Sequence, residues 1–110
     1  MRIIITGGRE YTDYDLVFRT LLEYVDQCPT IVNGGERGAD TLAENVARAL
    51  GFPVEKHPAN WKELGPMAGP IRNQQMIDLG ADLVIAFPGG RGTLDCVRKA
   101  VASQIDVRNA

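Results

Sequence analysis

The sequence predicts an α/β domain: an open parallel sheet of four to five strands with helices on both faces. Three observations lead there. Short β-branched runs alternate with segments of helical period, which implies right-handed crossovers and parallel pairing. Glycine pairs follow three of the strand candidates, at Gly7-Gly8, Gly34-Gly35 and Gly89-Gly90. The length of 110 residues holds one domain, residues 1–110, with a real core and no room for a second.

Arg2 to Thr6 is a β-branched run that reads as a buried strand, followed by a glycine turn. Asp13 or Thr12 caps a helix to about Gln27, with Val17, Phe18, Leu21, Leu22 and Val25 on one face and Pro29 as its stop. Thr30 to Asn33 is the second strand. After a loop to Gly38, Ala39, Leu42, Ala43, Val46, Ala47 and Leu50 recur at i, i+3, i+4, i+7, i+8 and i+11, and Gly51 and Pro53 end that helix. Phe52 to His57 is a weaker third strand, and the stretch PANWKELGPMAG reads as loop because of its Pro and Gly. A helix from about Pro70 to Leu79 follows, since proline suits the first helical position. Asp82 to Phe87 is the fourth strand. The last helix runs from Thr93 to about Val107, with Leu94, Val97, Val101 and Ile105 on one face.

Composition narrows the function classes. A hydrophobic share of 45% with 24% charged residues excludes disordered and fibrous chains. A net charge of −2 argues against an electrostatic nucleic-acid binder, while leaving room for a local basic pocket. Cys28 and Cys96 stand in no CxxC or zinc-type spacing, so neither a disulfide framework nor a structural metal is expected. The N-terminal MRIIITGG is too short for a signal-peptide core, and no apolar run approaches membrane length. A soluble protein of the reducing cytoplasm is the expectation.

Open parallel sheets bind ligands at the carboxyl ends of their strands, near a switch in strand order. All three glycine pairs fall on that edge, and Arg9, Arg37, Arg72 and Arg91 lie in the same loops. Glycine lets a ligand approach backbone N–H groups, and guanidinium suits bidentate contact with phosphate. In AFPGGRGTLDC, residues 86–96, a helix opening at Thr93 would turn its free N–H groups and dipole toward the loop, favouring an anion. The chain has no GxxxxGK[ST] segment, and TGGREYTD is not GxGxxG, so neither a Walker-type NTPase nor full dinucleotide binding is supported. The expected ligand is a mononucleotide or nucleotide-derived small molecule, with no separate cofactor.

The segments FPGGRGT and AGPIRNQQM, with TGGR and GGERGADTLAENVA upstream, resemble the SLOG superfamily of Rossmann-like nucleotide-binding proteins. Within it the sequence is most similar to the small YspA-like, cpYpsA-related branch, and more distantly to LOG phosphoribohydrolases and DprA. The resemblance runs from Ile3 to about Ala100. It implies a nucleotide or nucleotide-derived ligand at the glycine loops and a homodimer or higher homo-oligomer. The LOG relatives further imply an alternative activity: hydrolysis of the N-glycosidic bond of a nucleoside monophosphate. Their pattern couples PGGxGT to a glutamate three residues after the threonine, where this chain has Cys96, and an arginine on the preceding helix, matched by Arg72. A hydrolase here would need a displaced acid such as Asp95, which otherwise complements the helix dipole.

The candidate binding residues are therefore Gly7, Gly8, Arg9, Gly34, Gly35, Gly38, Asp40, Trp61, Arg72, Asn73, Gly89, Gly90, Arg91, Gly92 and Thr93. Several have a second reading. Thr93 donates to phosphate, caps its helix, or does both. Arg72 clamps phosphate or ribose, or forms a surface ion pair with Asp78 or Glu63; Asn73 hydrogen-bonds a base or ribose, or faces solvent. Asp40 takes a ribose hydroxyl or is simply a first-turn acid. Trp61 stacks on a base or packs beneath its loop. Cys96 is a small buried helix residue or, at a helix start, a reactive thiol. His57, the only histidine, has no ligand-spaced partner, so no metal is expected. A third reading leaves the domain without any ligand, as a structural or interaction module.

Overall fold

In the computed structural model, which describes residues 1–110, one five-stranded parallel sheet runs in the order β3-β2-β1-β4-β5. Its strands are β1 (Arg2–Thr6), β2 (Thr30–Asn33), β3 (Val54–Lys56), β4 (Leu83–Ala86) and β5 (Asp106–Asn109). The helices are α1 (Tyr14–Leu22), α2 (Ala39–Leu50), α3 (Trp61–Leu64), α4 (Ala68–Asp78) and α5 (Arg91–Ala102). The chain builds outward from β1 to β3, then crosses back so that β4 pairs with the other side of β1. That reversal is the switch point at which such sheets form ligand crevices.

The β-branched strands explain the layers. Ile3 and Ile5 point to one face, where Val17 and Leu21 of α1 and Ala43, Val46 and Ala47 of α2 cover them. Ile4 points to the other, against Met76 and Ile77 of α4 and Cys96 and Ala100 of α5. Period-two alternation along a doubly covered strand needs apolar residues at every position. Each fully buried isoleucine contributes roughly 1.5–3 kcal/mol. No helix is long and apolar enough to cross a membrane.

Four expected features are corrected. The last helix stops at Ala102; Gln104 takes a left-handed conformation (φ 60°), and residues 106–109 become β5 instead of helix. The buried stripe of α5 is Thr93, Cys96 and Ala100, while Leu94 and Val101 stay 48% and 62% exposed. Small residues let the helix approach the sheet, so side-chain size and not hydrophobicity sets its rotation. The first helix ends at Leu22, leaving Val25 in a short 3-10 turn, and the stretch after His57 contains α3, capped by Asn60 Oδ1 accepting from the Glu63 N–H at 3.3 Å.

Candidate functional site

A cleft of about 260 Å³ opens at the carboxyl edge of the sheet, where β1 and β4 diverge. Thr6 and Met76 contribute to its lining near the core. Gly7, Gly8 and Arg9 enter from the loop after β1, and Gly34, Glu36 and Asp40 from the loop after β2 and the start of α2. Arg72 and Asn73 come from α4, and Gly90 to Thr93 from the start of α5.

The first turn of α5 is the most distinctive feature. The helix starts at Arg91, two residues before the expected Thr93, and its cap position is Gly90, which has no side chain to accept from the backbone. The first helical bond runs from the Leu94 N–H to the Gly90 carbonyl at 3.1 Å. The N–H groups of residues 89–93 have no acceptor within the chain. Helix starts normally satisfy these donors with a capping side chain, water or a ligand, and the helix dipole adds positive potential. Thr93 is thus a buried third helical residue and not the cap, and it lines the cleft.

The glycines divide into two groups. Gly38 has a φ of +79°, and a Cβ there would strike the carbonyls of Gly8 and Arg9. The same loops are joined by Gly8 N–H donating to the Pro88 carbonyl at 2.8 Å and Ala39 N–H donating to the Gly8 carbonyl at 3.1 Å. Glycine pairs gather on this edge partly because three loops press together there. At Gly90 and Gly92, by contrast, an added Cβ meets nothing within 4 Å. Packing does not require glycine at those two positions.

Arg72 is neither a surface ion pair with Asp78 nor one with Glu63. It is 8% exposed, and its Nη1 donates to the Gly34 carbonyl at 2.6 Å and more weakly to the His57 carbonyl at 3.4 Å. Its Nε donates to Asn73 Oδ1 at 2.9 Å. Asn73 is likewise buried, and its Nδ2 donates to the Gly92 carbonyl at 3.2 Å and Asp95 Oδ2 at 3.0 Å. These two residues fasten α4 to the β2 loop and to α5. Asn73 therefore does not face solvent, and both of its donors are occupied. Arg72 keeps Nη2 without a partner in the chain, so it holds a fixed positive charge beside the cleft.

Asp40 Oδ2 accepts from the N–H groups of Gly34 and Glu36 at 3.1 and 3.2 Å. Burial raises its pKa to about 6, against the lowering effect of those bonds and of Arg72. The Gly34 amide is thereby used inside the protein, and the Gly35 N–H donates to Asn33 Oδ1 at 2.7 Å. The β2 loop is consequently not a free set of anion donors.

Asp95 lies outside the cleft lining. Its carboxylate accepts from Lys99 Nζ at 2.7 and 2.9 Å and from Asn73, and although burial opposes ionisation, these partners hold its pKa below the ordinary value. Cys96 is fully buried, which raises its thiol to about 11. It is a core residue and no nucleophile.

Of the candidate residues, the cleft brings together Gly7, Gly8, Arg9, Gly34, Asp40, Arg72, Asn73, Gly90, Arg91, Gly92 and Thr93. Gly35, Gly38 and Gly89 support its loops from outside, and Trp61 stands in a neighbouring groove. Glu36 was not anticipated. Its Oε1 accepts from Trp61 Nε1 at 2.8 Å and lies 3.8 Å from Arg72 Nη1, and its Oε2 lies 3.6 Å from Arg9 Nε. An acid flanked by glycine and arginine in GGERG was the available signal.

Residues 1–64 match the model of the family described as YAcAr: YspA, cpYpsA-related SLOG family. The Gene 61 protein of Mycobacterium phage D29 is 41% identical over 118 residues, covering 98% of this chain and 94% of that protein. Two solved structures share the fold at low identity. The structural-genomics protein TM1055 has a TM-score of 0.75 at 18% identity, covering 97% of this chain and 72% of that one. DNA processing protein A from Helicobacter pylori, described for its single-stranded DNA binding mode, has a TM-score of 0.76 at 17% identity. The alignment takes in 99% of this chain and 64% of that one.

Proposed function

The chain belongs to the YspA, cpYpsA-related SLOG family, and from that premise we propose that it binds a nucleotide or nucleotide-derived small molecule through a phosphate seated on the first turn of α5. One observation supports this above all: the consecutive N–H groups of residues 90–93 lack acceptors, and these residues line a cleft that also holds the buried Arg72 guanidinium. An oxyanion satisfies both the donors and the charge. Gly7 and Gly8 bring the opposite wall close, and Thr93 adds a hydroxyl. The protein then acts as a sensor, carrier or sequestering module in a reducing compartment, consistent with its two free cysteines.

Calorimetry and thermal shift across nucleotides, sugar phosphates, inorganic phosphate and a single-stranded oligonucleotide test this reading. Binding that Gly90→Val abolishes without loss of fold is the expected result. No response to any phosphate-bearing ligand at millimolar concentration would remove it.

A hydrolytic reading of the same cleft rests on Glu36, a carboxylate on its wall at 3.8 Å from Arg72. Asp95, the acid expected from the sequence, is engaged by Lys99 and Asn73. Release of free base from nucleoside monophosphates that is lost in Glu36→Gln and kept in Asp95→Asn would support an N-glycosidase. Assembly into a homodimer or higher homo-oligomer is part of the same proposal, and light scattering of the purified protein measures it.

A further inference from the structure

The cleft is smaller than the roughly 300–1,000 Å³ typical of small-molecule sites. A nucleotide anchored there by one phosphate must continue beyond it. Across a lip formed by Arg9, Arg91 and Gly92, the cleft adjoins a groove of about 630 Å³, which Trp61, Pro70, Arg98 and Asp95 also line, the Asp95 carboxylate being paired with Lys99.

Two independent features of the groove bear on what occupies it. The first is charge. Every arginine of the chain except Arg91 and Arg98 has a carboxylate or carbonyl partner, even though acidic residues outnumber basic ones by 14 to 12. The two unpartnered guanidiniums therefore stand in one groove. They lie seven residues apart on α5, two helical turns, or roughly 10 Å along the axis on one face. A phosphate on the first turn reaches Arg91 and not Arg98.

The second feature is a fixed aromatic ring. Trp61 is 40% exposed, yet its Nε1 is held by Glu36 and the Arg9 guanidinium lies 5.1 Å from its ring centroid. Its edge rests on Gly69, where a Cβ would come within 2.9 Å of the ring. A held, partly exposed indole lining the same groove as Arg91 and Arg98 offers a base a stacking surface at little ordering cost.

We propose that the ligand carries two phosphates separated by one nucleoside: the first in the cleft, the nucleoside along Trp61, and the second on Arg98. This rests on the nucleotide reading above and specifies its ligand. A free nucleoside bisphosphate, a phosphorylated dinucleotide and a stretch of single-stranded nucleic acid share this chemistry.

Calorimetry with the four common ribonucleosides, each as 5′-monophosphate and as 3′,5′-bisphosphate, tests the proposal, with emission of the sole tryptophan as a second readout. For at least one base, the bisphosphate should bind ten-fold or more tightly than the monophosphate. Arg98→Gln should erase that gain, leaving monophosphate affinity and thermal stability unchanged, because Arg98 is exposed and unpartnered. The gain should also shrink with salt. Equal affinities, or a gain that survives Arg98→Gln, would overturn the second-phosphate site and leave the nucleotide reading standing. Failure of every monophosphate, every bisphosphate and inorganic phosphate would overturn both. Given the expected gain, a 5′-phosphorylated thymidine 12-mer that displaces the bisphosphate identifies a nucleic-acid strand as a source, and one that does not identifies a small nucleotide.

Discussion

Arg72 Nη1 donates to the Gly34 carbonyl at 2.6 Å, and the guanidinium lies where any side chain at residue 34 would have to go. The absence of a Cβ at the end of β2 is what admits a buried cation to the cleft. Arg72→Ala leaves the Gly34 carbonyl and Asn73 Oδ1 without their donor, each loss costing about 1–3 kcal/mol. Chemical denaturation should show Arg72→Ala destabilised by about 2–4 kcal/mol before any ligand is added. An unchanged midpoint and slope would mean that Arg72 serves the ligand alone.

Gly90→Val should separate binding from folding. A Cβ at this position meets no atom within 4 Å, and the φ of −104° is open to side chains. Its stability should stay within about 1 kcal/mol of wild type, while nucleotide binding falls at least ten-fold. Thermal shift with and without ligand reads both. Equal loss of stability and binding would point to a purely structural turn.

Asp40 gives a pH signature. Its pKa is raised to about 6 in the folded protein, so the native state holds this proton more tightly than the unfolded chain does. Its contribution to stability is fully present below about pH 4 and is lost as pH rises through 6. With a shift of some two units, the loss amounts to about 2–3 kcal/mol. Asp40→Asn removes this titration, so its stability relative to wild type should improve between pH 4 and 6.5. A difference that stays flat across this window would show that Asp40 ionises as an exposed acid.

The two cysteines should differ sharply. Cys28 is exposed and Cys96 is buried, with its thiol pushed up to about 11. Native protein should take up one equivalent of a thiol reagent at pH 8, at Cys28, and a second only on unfolding, as peptide mass spectrometry would locate. Rapid native labelling of Cys96 would return it to the list of reactive groups.

The readable parts of this fold are those where one physical signal dominates. Ile3 to Ile5 and the strict spacing of Ala39, Ala43, Val46 and Ala47 state β1 and α2 outright. α5 was harder, because its packing surface is made of Thr93, Cys96 and Ala100, whose small size matters more than their polarity. β5 was hidden because no Gly or Pro separates it from α5; the break comes from Gln104 in a left-handed turn. At the site, the sequence placed the glycine-rich start of α5 on the sheet edge where the cleft opens. It did not distinguish glycines needed by other loops, such as Gly38, from Gly90 and Gly92, which open outward. That distinction depends on contacts between residues far apart in the chain. Glu36 and Arg72 illustrate the same limit: each owes its setting to a partner from another element.

The strand order has a further consequence during synthesis. β1 has partners on both sides, and the second, β4, is not made until residues 83–86. A nascent chain that has emerged only to residue 64 holds three strands but lacks α4, β4 and the first turn of α5, half of the cleft wall. Its β1 edge stays open until the crossover closes, and long-range parallel pairing of this kind is slow to form. A complete cleft thus arrives late in translation and all at once. Under the proposed function, a phosphate ligand would select completed molecules over partial ones and so help to secure the last step of folding.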